Sequence, residues 1–359
     1  MKIKGIKIGN KVSKYPIIQG GMGIGVSAHN LAGAVAKNGG IGVIASVNIG
    51  YKEKDFLEDP LKANLRAIDK EIDQAREIAG KDGIIGVNIM VAIQQYSQMV
   101  KQAVKKGVDL IISGAGLPKN LPEYVKNTKT KIAPIISSAK GAELIIKLWM
   151  KRYNYVPDMI VVEGPEAGGH LGFSEKELDE TKRPKLENII VEVIKVVKNI
   201  EKTVKKKIPV IAAGGIFSGK DIARFLKLGA SGVQMATRFV TTKECDASDE
   251  FKKAYIESTK EDIKIIKSPV GMPGRAIRNN FIKKVENERV KSKHCVSCII
   301  PCNPRETPYC ISDALINAVK GNTAEGLVFC GSNVDKVKEL VTVKELMNEL
   351  VGEMQVAMA

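Results

Sequence analysis

Short runs of β-branched and apolar residues alternate along the chain with longer stretches in which apolar residues recur every three or four positions. The short runs read as buried parallel strands and the longer ones as amphipathic helices laid over them. Strands are predicted at residues 16–19, 40–44, 84–90, 108–113, 132–137, 158–163, 208–213 and 231–236. Helical patterns include residues 30–37, 97–106, 142–152 and 219–228. Eight strands, each followed by a helix, are the count of a (β/α)8 TIM barrel, an α/β fold. The rival is an open doubly wound sheet, which would carry a G-x-G-x-x-G fingerprint in its first unit. Gly20-Gly21-Met22-Gly23 does not have that spacing, and no acidic residue ends the second strand, Ile41-Gly42-Val43-Ile44-Ala45-Ser46. The pattern therefore favours the barrel.

Two segments break the rhythm. A polar insertion, residues 173–184, separates the sixth strand from its helix, on the side where barrels carry lids. The division expected is a barrel core over residues 1–242 and an extension over 243–359 that packs on it, with a Cys-rich segment and a closing helix near 343–351.

Composition narrows the class. With 44% hydrophobic and 27% charged residues in 359, the chain has the make-up of a globular protein and not of a disordered or fibrous one. No apolar run is long enough to cross a bilayer, and the start, Met1-Lys2-Ile3-Lys4-Gly5-Ile6, lacks a signal-peptide core, so a cytoplasmic enzyme without membrane contact is expected. The net charge of +16 permits attraction to anions, yet acidic residues are mixed among the lysines. The densest basic stretch, residues 195–207, keeps Ile and Val at helical spacing and has no interleaved aromatics, so it reads as a solvated helix face and nucleic-acid binding is not expected.

Catalytic groups of a TIM barrel lie at the C-terminal strand ends. Those ends carry Gln19-Gly20-Gly21-Met22, Asn88, Ser113-Gly114, Glu163 to His170, Ala213-Gly214-Gly215 and Gln234-Met235-Ala236-Thr237-Arg238. Glycines at the seventh and eighth strand ends suit a phosphate, since bare backbone N–H groups can approach an anion there. Of three histidines, His29 reads as structural, His294 adjoins the cysteines, and His170 stands on the catalytic rim, where an imidazole can act as a base or orient an anion.

At these positions the sequence resembles the FMN-dependent nitronate monooxygenase family, also called 2-nitropropane dioxygenase. The resemblance rests on Gln19-Gly20-Gly21-Met22, Gly86-Val87-Asn88-Ile89-Met90, Glu163-x-x-Glu166-Ala167-Gly168-Gly169-His170, Ala212-Ala213-Gly214-Gly215-Ile216 and Gln234-x-x-Thr237-Arg238-Phe239. It runs in order from about Tyr15 to Phe239 and continues more weakly through Gly274-Arg275-Ala276-Ile277-Arg278-Asn279. The resemblance implies FMN at the barrel mouth. Its phosphate would be cradled by Gly214, Gly215, Gln234, Ala236 and Thr237, and its ring would lie along Gly21, Met22 and Asn88, with Glu163 and Gly169 near it. His170 would be the catalytic residue, assisting deprotonation or positioning of the substrate. The implied reaction oxidises alkyl nitronates with O2 to carbonyl compounds and nitrite.

The same motifs occur in related reductases, in which NAD(P)H reduces FMN and an enoyl thioester (enoyl-acyl-carrier-protein reductase II type) or a quinone accepts the electrons. A homodimer is compatible with either. The tail departs from the family motifs. Cys295, Cys298, Cys302 and Cys310 follow a C-x2-C-x3-C-x7-C spacing that suits zinc or an iron–sulfur cluster. Three prolines crowd the segment, however, and a bare thiol-rich loop with no metal is the expectation. Cys330 is expected to return toward the barrel mouth as buried packing.

Overall fold

The computed structural model describes residues 3–292 and 294–359. The eight apolar runs pair in parallel, in chain order, and the eighth closes on the first. The barrel strands are Ile17–Gln19, Ile41–Ala45, Ile84–Met90, Leu110–Gly114, Lys131–Ile136, Ile160–Glu163, Val210–Ala213 and Gly232–Met235. The barrel predicted from periodicity is thus present, with strand ends shifted by a residue or two. A short hairpin, Lys7–Ile8 with Lys11–Val12, precedes the first strand.

The strands are continuous apolar runs because both their faces are covered. Ile18, Ile41, Val43, Ile84, Leu110, Ile112 and Val161 fill one buried cluster with Ile211. Alternate residues such as Ile17, Ile44, Ile85, Val87 and Ile111 join a second cluster shared with the surrounding helices. Ladder pairing is thinnest between the first two strands, where only Ile18 and Ile41 are in register. The fully buried Gln19 bridges that seam. Its side-chain amide donates to Val43 O at 3.1 Å and its Oε1 accepts from Val43 N at 3.0 Å, so it replaces a peptide unit of the ladder.

The main helices after the strands are α1 (His29–Lys37), α2 (Pro60–Ala79), α3 (Tyr96–Lys105), α4 (Leu121–Val125), α5 (Ala139–Tyr153), α6 (Leu186–Val204) and α7 (Gly219–Lys227). The helical part of the basic stretch ends at Val204, and Lys205 takes a left-handed C-cap conformation, so its last lysines lie beyond the helix. His29 has the structural place expected for it: Nδ1 lies 2.7 Å from Glu71 on α2, and that carboxylate raises the imidazole pKa.

The extension packs back over the barrel. After α8 (Thr237–Val240) at the end of the core, it carries α9 (Asp249–Ile256), α10 (Asn280–Val285), α11 (Ile311–Val319) and α12 (Val343–Met358), the closing helix, longer than its sequence pattern suggested. The Asp246 carboxylate accepts from the N–H groups of Ala28, Asn30 and Leu31, capping α1, whose own N-cap residue, Ala28, has no side-chain acceptor. Strands Ile263–Lys267 and Pro273–Ile277 form an antiparallel sheet with the short strand Gly169–His170, so the catalytic-rim loop is knitted into the extension.

Candidate active site

At the C-terminal mouth of the barrel a cavity of about 240 Å³ opens, walled on one side by strand ends and on the other by the extension. Every residue that the resemblance assigns to the flavin or to catalysis faces this one space. Gly21, Met22 and Asn88 stand at the ends of the first and third strands. Glu163, Gly169 and His170 follow the sixth, and Gly214, Gly215, Gln234, Ala236 and Thr237 follow the seventh and eighth. Register explains the convergence: Ala213 is level with Glu163 on one side and Gln234 on the other.

The glycines make a close approach possible. Gly214 and Gly215 have φ of +95° and +73°, a region other residues enter only under strain. A Cβ at Gly214 would stand 2.9 Å from Ala167 N, and one at Gly215 would strike the Glu166 side chain. Gly331, from the extension, likewise abuts the Thr237 hydroxyl. Three backbone segments and a hydroxyl therefore converge at one end of the cavity, beside the first turn of α8. Among the described residues neither Gln234 Oε1, buried there, nor Ser332 Oγ meets a hydrogen-bond partner. Bare backbone N–H groups and a hydroxyl suit an anion, and an unsatisfied amide oxygen suits a hydroxyl or N–H donor, so the lining fits a phosphate-bearing flavin.

His170 is held from the extension. Its Nε2 lies 2.7 Å from Ser268 Oγ, and the ring meets Phe329 edge-on, centroids 5.0 Å apart. With Nε2 so occupied, Nδ1 is the ring nitrogen without a hydrogen-bond partner among the described residues. Burial depresses the imidazole pKa to about 4, so the ring is neutral near pH 7. Burial also pushes the Glu163 carboxyl up to about 8, so that group is a neutral acid under the same conditions. Glu166 is paired to Arg183 of the polar insertion at 3.1 Å, which ties that segment to the rim.

The Cys-rich segment forms part of the outer wall. Ile300 N donates to Ala92 O at 2.8 Å and Gln94 N to Cys298 O at 3.1 Å, so it leans on the loop after the third strand, with Cys298 and Ile299 facing the cavity. Among the described residues no three His, Cys, Asp or Glu side chains are gathered closely enough to hold a metal ion. Cys330 is buried and returns to the cavity wall as expected, and its burial pushes the thiol up to about 12.

Residues that the sequence did not single out complete the site. Ser268 and Phe329 position His170, and Asn333 donates to Gly215 O at 2.9 Å. All come from the extension. Their only sequence signal is proximity to glycine or proline, which many loops share.

A family model described as nitronate monooxygenase matches residues 6–353, so the likeness takes in the extension as well as the barrel motifs. A probable nitronate monooxygenase of Staphylococcus saprophyticus is 29% identical over 295 residues, spanning 76% of this chain and 78% of that protein. One of Staphylococcus aureus strain JH9 is 30% identical with the same coverage. Among solved structures, FabK from Thermotoga maritima superposes with a TM-score of 0.73 at 25% identity, over 96% of this chain and 94% of that one. Nitroalkane oxidase from Streptomyces ansochromogenes superposes at 0.72 with 20% identity over 96% and 97%, a likeness of fold. On the near-complete family match, joined to a closed barrel whose mouth gathers the motif residues, the chain belongs to the nitronate monooxygenase family of flavin-dependent oxidoreductases.

Proposed function

We propose that the protein binds FMN at the barrel mouth and oxidises alkyl nitronates with O2 to carbonyl compounds and nitrite. The observation that carries this reading is the placement of His170, fixed through Nε2 by Ser268 at 2.7 Å on the wall of the cavity that gathers the family's motif residues. A neutral imidazole whose conjugate acid has a pKa of about 4 is a poor base near pH 7, and a nitronate has already lost its proton. The remaining task is to orient an anion, which Nδ1 can do as a donor while Ser268 fixes the ring. Of the two roles expected for His170, this favours positioning over deprotonation. FMN, bound as proposed, would supply a ring that takes electrons from the substrate and returns them to oxygen. Asn88 and the backbone of Gly21 and Met22 would bear on that ring, and Gly214, Gly215, Gln234, Ala236 and Thr237 on the phosphate. Gly169 and Glu163 would lie near the ring.

The second reading, an NAD(P)H-dependent reductase of enoyl thioesters or quinones, draws on the likeness to FabK and on the apolar outer wall of Ile299, Ile311 and Leu315, which suits a neutral, chain-bearing acceptor. One experiment separates them: an anaerobic visible spectrum before and after NADH, NADPH and a nitronate. A flavin band indifferent to both nicotinamides and bleached by the nitronate is expected. Bleaching by NADH or NADPH would transfer the assignment to the reductase. No helix among the described residues is long and apolar enough to cross a membrane. We place the enzyme in the cytoplasm, acting on small molecules without nucleic acid, with a homodimer as a possible assembly.

A further inference from the structure

The cavity wall presents two carboxyl groups and an imidazole but, among the described residues, no lysine or arginine. A phosphate monoester brings up to about two negative charges. One layer behind the wall stands Arg275, only 3% exposed, on strand Pro273–Ile277. Its guanidinium donates to Pro165 O at 2.8 Å and to Ala167 O. Among the described residues no carboxylate pairs with it directly; Glu166 and Glu180 act on it only at longer range. A guanidinium stays charged in proteins, and a buried charge without a counter-ion is costly unless something in the working protein compensates it.

The two carbonyls show where that charge is directed. Peptide units are planar, and both of these are trans, so each N–H points opposite to its carbonyl. With Pro165 O and Ala167 O turned back to Arg275, the N–H groups of Glu166 and Gly168 turn away from it. Both residues line the cavity and Arg275 does not. Among the described residues neither N–H meets a backbone acceptor. Two such donors on one short loop, with a cation behind them, make an anion-binding concavity. The loop also lies at the phosphate end of the cavity: Ala167 abuts Gly214, Glu166 abuts Gly215, and Gly168 abuts the Cys330–Gly331 backbone that reaches Thr237. The Glu166 carboxylate stays beside Gly215 through Oε2, and its charge there is offset by the ion pair of Oε1 with Arg183 at 3.1 Å.

We propose that Arg275 is a positioning residue for the flavin phosphate, holding loop 165–168 with two N–H groups forward and lending them its charge. This rests on the FMN reading above, and the test keeps the two apart. The dissociation constants of FMN and riboflavin, which lacks the phosphate, are measured by flavin fluorescence for the apoprotein and its variants. Arg275→Gln is expected to weaken FMN by roughly 10- to 100-fold while riboflavin changes by less than about twofold, because only FMN carries the charged group. Equal losses for both flavins would reduce Arg275 to a scaffold of the loop, and unchanged FMN binding would remove it; either overturns the proposal. If Arg275→Gln does not fold, judged by circular dichroism, Arg275→Lys carries the test. A lysine cannot span both carbonyls, so selectivity for FMN over riboflavin should still fall several-fold, and unaltered selectivity overturns the proposal. A wild-type protein that binds no flavin, or does not prefer FMN, would sink the cofactor reading itself.

Discussion

His170 is legible in the sequence because histidine is scarce and this one follows two glycines on the catalytic rim, whereas the residue that fixes its ring is not. Ser268 lies 98 positions downstream, in front of Pro269, where a serine ordinarily does no more than shape a turn. Glu163 is a similar case: its place at a strand end can be read, but its charge state depends on a burial that only the closed mouth creates. The two pKa shifts lead to separable predictions. His170→Ala should retain flavin while turnover falls roughly a hundredfold or more, the scale for losing an oriented donor to an anion, and the wild-type pH profile should show no limb near the ordinary imidazole value of 6.5. For Glu163, kcat/KM should titrate near pH 8, and Glu163→Gln should abolish that limb while keeping its flavin. Stability carries the same signature. The folded pKa of Glu163 is raised above the unfolded value of 4.5, so its contribution is complete below that pH and is lost as pH rises through 8. Across that window the Gln variant should gain on the wild type by about 1.4 kcal/mol per pH unit, measured by denaturant unfolding at several pH values. A constant difference would show that Glu163 ionises normally.

At the level of elements, strand positions followed from apolar runs because a parallel sheet buried on both faces leaves no room for polar alternation. Helix docking was harder to read, since an amphipathic pattern says that a face is covered without saying by what. The closing helix α12 illustrates this. Its Glu353 caps α7 by accepting from Gly219 N at 2.7 Å, and a Cβ at Gly219 would collide with Leu350 O, so the two helices meet backbone to backbone at that glycine. From the same helix, Glu349 accepts from both terminal nitrogens of Arg238 at 3.1 and 2.8 Å. Arg238 follows Thr237 and lies over the Phe217 ring at 4.8 Å, just beyond Gly214 and Gly215. One ion pair thus steadies both loops proposed to meet the phosphate. Glu349→Gln should therefore raise the FMN dissociation constant by roughly two- to tenfold, a modest effect because the carboxylate is partly exposed. Exchanging the pair, Arg238→Glu with Glu349→Arg, should restore part of the loss. Additive losses in that double variant would mean that the two side chains act separately.

Over the whole molecule, the charge surplus and the site occupy different places: +16 is carried by the chain, yet the described cavity wall holds no lysine or arginine, so the surface charge is no guide to the chemistry inside. The expected division at residue 242 also takes on a definite meaning. We propose that 243–359 is an extension in sequence but one wall of the active site in space. It supplies Ser268 to His170, Arg275 to the loop behind Glu166, Gly331 and Asn333 to the glycine cradle, and Asp246 to the N-terminus of α1. Its Phe251, Phe281, Leu327, Leu346 and Leu350 belong to the same buried cluster as the outward faces of the barrel strands, so removing it would expose apolar surface that nothing else covers. A chain ending at residue 242 should then fail to unfold cooperatively in a thermal scan and should emerge colourless after dialysis. A yellow, cooperatively folding 1–242 fragment would show instead that the barrel forms and loads its flavin alone, and that the extension serves only the substrate side of the site.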